Sequence, residues 1–137
     1  MPFISLNEIG KKLKIGETTS FAIRTKPGHD FGDGGYAIDL VTTNIMHDDN
    51  PNVLFHFNPR QANVVLNSRH EGHWQTETIV NQYGYNHHDP VYTLKIKVND
   101  PWTITVWKDH HQSTLYRCHE NITNACYVHI SGFVHIE

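Results

Sequence analysis

Short runs rich in Val, Ile, Thr, Phe and Tyr recur along the chain between turn signals, and no stretch sustains apolar spacing at three and four residues. The pattern predicts strands rather than helices. Alternation is cleanest from Val91 to Val98, where Tyr92, Leu94, Ile96 and Val98 face one way and Thr93, Lys95 and Lys97 the other. Such one-sidedness predicts a sheet packed on one face only. Further strands are predicted at Phe3 to Leu6, Lys12 to Ile15, Ser20 to Arg24 and Tyr36 to Thr43, the last alternating Ala37, Asp39 and Val41 against Ile38 and Leu40. The second half adds Trp102 to Trp107, Leu115 to His119, Tyr127 to Ile130 and Phe133 to Ile136, with Trp102 and Trp107 expected in the core. Roughly ten or eleven short strands without helices predict an all-β, two-sheet antiparallel sandwich.

Between these runs lie connections. The glycine-rich segment His29 to Gly35 lacks the Lys-Ser/Thr ending of a phosphate cradle, and no helix follows, so it reads as a loop or hairpin connection. Asn44 to Asn52 and Tyr83 to Pro90 read as polar, turn-rich links, and Glu120 to Ala125 as irregular.

The stretch from His56 to Glu77 is where chemistry concentrates. His56, Asn58 and Arg60 alternate, so a strand would present an imidazole, an amide and a guanidinium in a row, with Val53, Phe55 and Phe57 anchoring its other face. Pro59 within the row must lie at a strand end, an edge or a bulge, since it has no N–H for a ladder. After the short connector Gln61-Ala62, Val65 and Asn67 share one side of a second strand, followed by Trp74 and Glu77. An indole beside mixed hydrogen-bonding groups suits a sugar, whose C–H face stacks on a ring and whose hydroxyls need partners once desolvated.

Length and charge narrow the classes. The 137 residues suffice for one domain, 1–137, with a sizeable core. A formal charge of −3 with eleven scattered basic residues is no footprint for nucleic acid. The first residues, MPFISLNEIGKKLK, show no signal-peptide pattern, and no run approaches membrane-spanning length. Cys118 and Cys126 are accordingly expected as free thiols. Twelve histidines invite a metal reading at His70-Glu71-Gly72-His73, His87-His88 and His110-His111. Adjacent histidines on a strand point to opposite faces and no HExxH helix is present, so neither metal nor cofactor is expected. Glu77 is the only acid of the cluster and lacks the second carboxylate a glycosidase needs, so an enzyme is not expected.

His56-Phe57-Asn58-Pro59-Arg60, Val65-Leu66-Asn67 and Trp74-Gln75-Thr76-Glu77, in this order, resemble the carbohydrate-recognition signature of the galectins. Tyr83-Gly84-Tyr85 and Val128-His129-Ile130-Ser131-Gly132 extend the resemblance more weakly. It implies a concanavalin A-like jelly roll that binds β-galactosides such as lactose and N-acetyllactosamine. His56, Asn58 and Arg60 would bond the axial 4-hydroxyl of galactose, Asn67 and Glu77 the 6-hydroxyl, and Trp74 the apolar ring face. It further implies a cytoplasmic protein, also exported without a signal peptide, whose dimers or tetramers cross-link glycans on cell surfaces and agglutinate red cells. An alternative is a galectin-fold structural or protein-interaction module with reduced or altered sugar binding.

Two departures from the signature stand out. Ile79 replaces the usual Arg two residues after the Glu, which is expected to shift preference at the second sugar and leave Arg60 and Glu77 to satisfy each other. The connector after Arg60 is short, which would open that end of the groove. If neutral His56 pairs with the galactose hydroxyl, charging it beside Arg60 is expected to weaken binding below about pH 6.

Overall fold

β-Branched and aromatic residues crowd short segments closed by Gly, Pro, Asn and Asp, so local propensity and turn chemistry agree on strands throughout. A computed structural model describes residues 3–26, 31–44, 52–61, 63–81, 90–130 and 134–136. The first half contains β1 (Phe3–Ser5), β2 (Thr18–Thr25), β3 (Ile38–Val41), β4 (Val53–Pro59), β5 (Val64–His70), β6 (His73–Trp74) and β7 (Thr78–Val80). The second contains β8 (Val91–Asp100), β9 (Thr103–Lys108), β10 (Thr114–Arg117), β11 (Tyr127–Ile130) and β12 (Val134–Ile136). One sheet runs β1-β11-β3-β4-β5-β6, with β7 also on β5, and the other runs β10-β9-β8-β2-β12. All pairings between these strands are antiparallel. The His29 and Asp30 part of the glycine-rich segment, most of the Asn44 to Asn52 link (45–51), Ala62, Tyr83 to Asp89 with its two histidines, and Ser131 to Phe133 lie outside the described residues.

The core lies between the sheets. Phe21, Ile23, Leu94, Ile96, Ile104 and Val106 from one layer meet Ile38, Leu40, Phe55, Phe57 and Leu66 from the other. Each fully buried side chain of this kind contributes about 1.5–3 kcal/mol relative to exposure. β8 behaves as its alternation predicts, with Tyr92, Leu94, Ile96 and Val98 all buried. Hydroxyls cross the core too: Ser68 Oγ lies 2.6 Å from Tyr116 Oη, and burial pushes the Tyr116 phenol up to about 12.

Several expectations are corrected. Val53 pairs with Arg69 but His56 pairs with Asn67, so Leu54 and Phe55 stand against Ser68 alone in a β-bulge. The extra residue sends Leu54 into the core with Phe55 and turns Val53 to the face of Arg69, not to that of Phe57. Lys12 to Ile15 forms no strand; it is held by Leu13 buried in the core, by Lys12 Nζ donating to the Ala125 carbonyl and by one bridge from Ile15 to Val98. Trp102 sits at a turn and is 47% exposed. Period-two alternation turns Ile104, Val106 and Lys108 inward along β9, which leaves Trp107 half-buried on the outside. Lys108 is tolerated inside because its Nζ lies 5.0 Å from the Tyr92 ring centroid and 3.5 Å from Asp109 Oδ2. Within Glu120 to Ala125, Ile122–Asn124 makes one 3₁₀ turn, capped by Asn121 Oδ1 accepting from the Thr123 N–H at 3.0 Å.

Both cysteines are free; Cys118 is buried and Cys126 exposed. Burial pushes the Cys118 thiol up to about 12, so it stays protonated and unreactive. Iodoacetamide at pH 8 is expected to add one group per native chain, on Cys126, and a second only after unfolding, as intact-mass and peptide spectra would show.

Candidate functional site

The site grows from the register of three neighbouring strands of the larger sheet. Asp39 of β3 stands opposite His56 of β4, and His56 opposite Asn67 of β5, so the three form one transverse row. Phe55 and Phe57 face the core, and their burial holds the intervening His56 outward. β4 ends at Pro59, which agrees with the placement its missing N–H requires. The Arg60 N–H then donates to the Asn63 carbonyl at 2.8 Å, closing the short connector tightly enough to bring β5 alongside.

A cavity of about 260 Å³ opens on this face, lined by His56, Arg60, Val65, Asn67, Trp74 and Glu77. Six of the seven predicted residues thus meet around one space. Trp74 is 49% exposed, and its ring packs at 55° on the His56 ring with centroids 4.6 Å apart, a tilted contact that leaves indole surface free. Arg60 Nη2 donates to Glu77 Oε1 at 3.2 Å, with both side chains partly exposed. A larger hollow of about 460 Å³ beside Cys126 lacks this combination of indole, guanidinium, carboxylate and imidazole.

The seventh residue, Asn58, lies beneath the cavity rather than on its wall. Its Nδ2 donates to the carbonyls of Gly34 at 3.0 Å and Tyr36 at 2.7 Å, which leaves its oxygen to accept from Arg60 Nε at 2.8 Å. Asn58 therefore aims the guanidinium, and Arg60 is satisfied by two partners rather than by Glu77 alone. Asn67 is buried as well: its Nδ2 donates to the Gln75 carbonyl at 3.0 Å, tying the segment after Trp74 to β5.

Asp39 was not singled out by the sequence pattern. Its Oδ1 lies 2.5 Å from His56 Nδ1. A neutral His56 then carries its proton on Nδ1 and offers Nε2 as an acceptor. The one available signal was a carboxylate alternating with Ala37 and Val41 in a strand. Ile79, paired with Val65, is 55% exposed beside the cavity.

Farther along the row, His129 stands opposite Asp39, with its ring centroid 4.6 Å from that of Phe3 and its Nε2 buried without a hydrogen-bond partner. Burial lowers the His129 pKa from 6.5, against the pull of Asp39 and with the terminal amino group. Because the folded value is the lower one, the unfolded chain binds more protons as pH falls through 6.5. Stability is therefore expected to decline from pH 7 toward pH 5, and His129→Phe to flatten that decline in urea titrations.

An antiparallel sandwich bearing a shallow polar cavity with an indole on its rim is the architecture of a carbohydrate-recognition module. The sequence matches the family described as Galactoside-binding lectin over residues 7–137. No curated protein matches the chain. Among solved structures, Caenorhabditis elegans galectin LEC-6 is 20% identical with a TM-score of 0.69, covering 99% of this chain and 86% of its own. Galectin-1-L2 of Dario rerio is 19% identical with a TM-score of 0.75, covering 99% and 96%. A variant of human galectin-16 is 18% identical with a TM-score of 0.73, covering 99% and 90%. The chain belongs to the galactoside-binding lectin family, the galectins, which are lectins and not enzymes.

Proposed function

We propose that the chain binds β-galactosides of the lactose and N-acetyllactosamine type in the cavity of β4 and β5. The observation that carries this reading is the Arg60–Glu77 pair set beside the half-exposed Trp74 ring in one small cavity. Trp74 stacks on the apolar face of galactose. His56 and the guanidinium aimed by Asn58 meet the axial 4-hydroxyl, while Asn67 and Glu77 meet the 6-hydroxyl and Val65 packs beneath. Glucose, with its 4-hydroxyl equatorial, leaves such groups unpaired at about 1–3 kcal/mol each.

A shallow site of this size supports about −4 to −6 kcal/mol per sugar. Cross-linking of glycans by a dimer or tetramer, after export independent of a signal peptide, supplies the missing avidity. Retention on lactose–agarose, with elution by lactose but not sucrose, tests the binding; sedimentation and hemagglutination test the cross-linking. A protein that passes through unretained supports the second reading, a galectin-fold interaction module, which the exposed Ile79 favours.

Ile79 also sets an expectation within the first reading. Ile79→Arg would return a cation beside Glu77 and is expected to alter the ranking of lactose, N-acetyllactosamine and 3-substituted galactosides on a glycan array. An unchanged ranking would remove Ile79 from the specificity account.

A further inference from the structure

The smaller sheet carries a second polar hollow, about 190 Å³, where Lys11, Lys12 and Lys14 gather beside Glu17, Thr18 and Ser20 of the β2 entry. Lys11 and Lys14 against Glu17 leave one net positive charge at the hollow in a chain whose formal net charge is −3, while Lys12 lines it with its stem and turns its ammonium toward Ala125. Lys11 Nζ donates to the Ser20 carbonyl at 2.5 Å and lies 5.8 Å from the Phe21 ring centroid, so its position is fixed. Lys12 Nζ donates to the Ala125 carbonyl and lies 3.7 Å from Cys126 Sγ. None of the three lysines makes an ion pair among the described residues. An anion seated beside these cations would supply the counter-charge that they lack.

The positive charge continues across the sheet. Thr18 pairs with Lys97 and Ser20 with Lys95, and all four alternate with buried residues, so they share the outer face. Two strand residues span about 6.6 Å, which spaces the cations along the strand as charges repeat along an extended polyanion. The hollow equals the space of about six water molecules at ~30 Å³ each, room for a tetrahedral oxyanion and part of the ring bearing it. Lys14 and the hydroxyls of Thr18 and Ser20 are donors of the kind a three-oxygen group accepts from.

We propose that this hollow, with Lys95 and Lys97, is a second site that takes the sulfate ester of a sulfated polysaccharide. It lies on the sheet that does not carry the galactoside cavity, so both can be filled at once and neither requires the other.

A heparin-derived hexasaccharide, titrated calorimetrically in 0.15 M NaCl with and without lactose, tests this. Native protein is expected to bind with an affinity that lactose leaves unchanged. Lys14→Gln/Lys97→Gln, two exposed positions that leave the melting temperature unaltered, is expected to weaken binding at least tenfold. Glu17→Gln, which removes the one opposing charge of the hollow, is expected to tighten it severalfold. Unchanged affinity in the double variant, displacement by lactose, or equal binding of the de-sulfated hexasaccharide would overturn the proposal. So would binding to phosphatidylserine vesicles with none to the hexasaccharide.

Discussion

Arg60→Ala is expected to pass through lactose–agarose unretained while its melting temperature falls by no more than about 3 °C. The two effects separate because the guanidinium does different work in each. For stability it gives a partly exposed ion pair with Glu77, a kind worth about 0–1 kcal/mol, and a hydrogen bond to Asn58 Oδ1 that water entering the vacated cavity can replace. For the proposed binding it is a fork held at both ends, with Nε on Asn58 and Nη2 on Glu77, so its remaining donors are already aimed at the cavity. Charge-assisted hydrogen bonds of this kind contribute about 1.5–3 kcal/mol, a large share of the roughly 4–6 kcal/mol that a shallow sugar site supplies. Arg60→Lys is expected to fail nearly as badly, since one ammonium cannot span both partners. Full retention of either variant would show that galactose, if bound, is bound elsewhere.

Gly35→Ala is expected to be among the most destabilising single-methyl changes in the chain, lowering the melting temperature by about 10 °C or more. Gly35 has φ +65°, and a Cβ there would fall 1.7 Å from the Pro59 carbonyl oxygen. The left-handed backbone costs a non-glycine residue about 1–2 kcal/mol and overpacking about 1–3 more. Relief requires the loop to move away from the end of β4. That movement would break the Tyr36 N–H bond to the Pro59 carbonyl at 3.2 Å and loosen the two carbonyls that hold Asn58. Lactose affinity is therefore expected to fall together with stability. Gly34→Ala is the control: nothing lies within 4 Å of its would-be Cβ, and its φ is unexceptional. Differential scanning calorimetry of the two variants checks the pair, and equal melting temperatures would mean that the close approach to Pro59 is unimportant.

The glycine-rich segment shows how far a sequence can be read. Its composition identifies a loop, and the missing Lys-Ser/Thr ending removes the phosphate reading. Nothing in it announces that Gly35 must pass against Pro59, because the two are brought together only when β3 and β4 pair. Asp39 is a similar case. As one polar residue in an alternating strand it resembles any solvent-facing position, and only the register sets it between His56 and His129 in one row, where it partners the His56 ring. Val53 lies off the face of Phe57 for a related reason, since a bulge shifts the side chains beyond it by one face, whereas Trp102 is exposed because it sits at a turn and Trp107 is half-buried because alternation along β9 sends it outward.

What the residues alone determined is whatever depends on local period and side-chain chemistry. Alternation of apolar and polar positions specified strands, the number of short strands without a helical period pointed to a two-sheet sandwich, and the order of His56, Asn58, Arg60, Val65, Asn67, Trp74 and Glu77 marked the stretch around which the cavity forms. Tertiary structure alone decided which of those groups reach the cavity and which serve from behind it. Hydrogen bonds such as Asn58 to Gly34 and His56 to Asp39 join residues far apart in the chain, and their geometry exists only once the strands have chosen their partners.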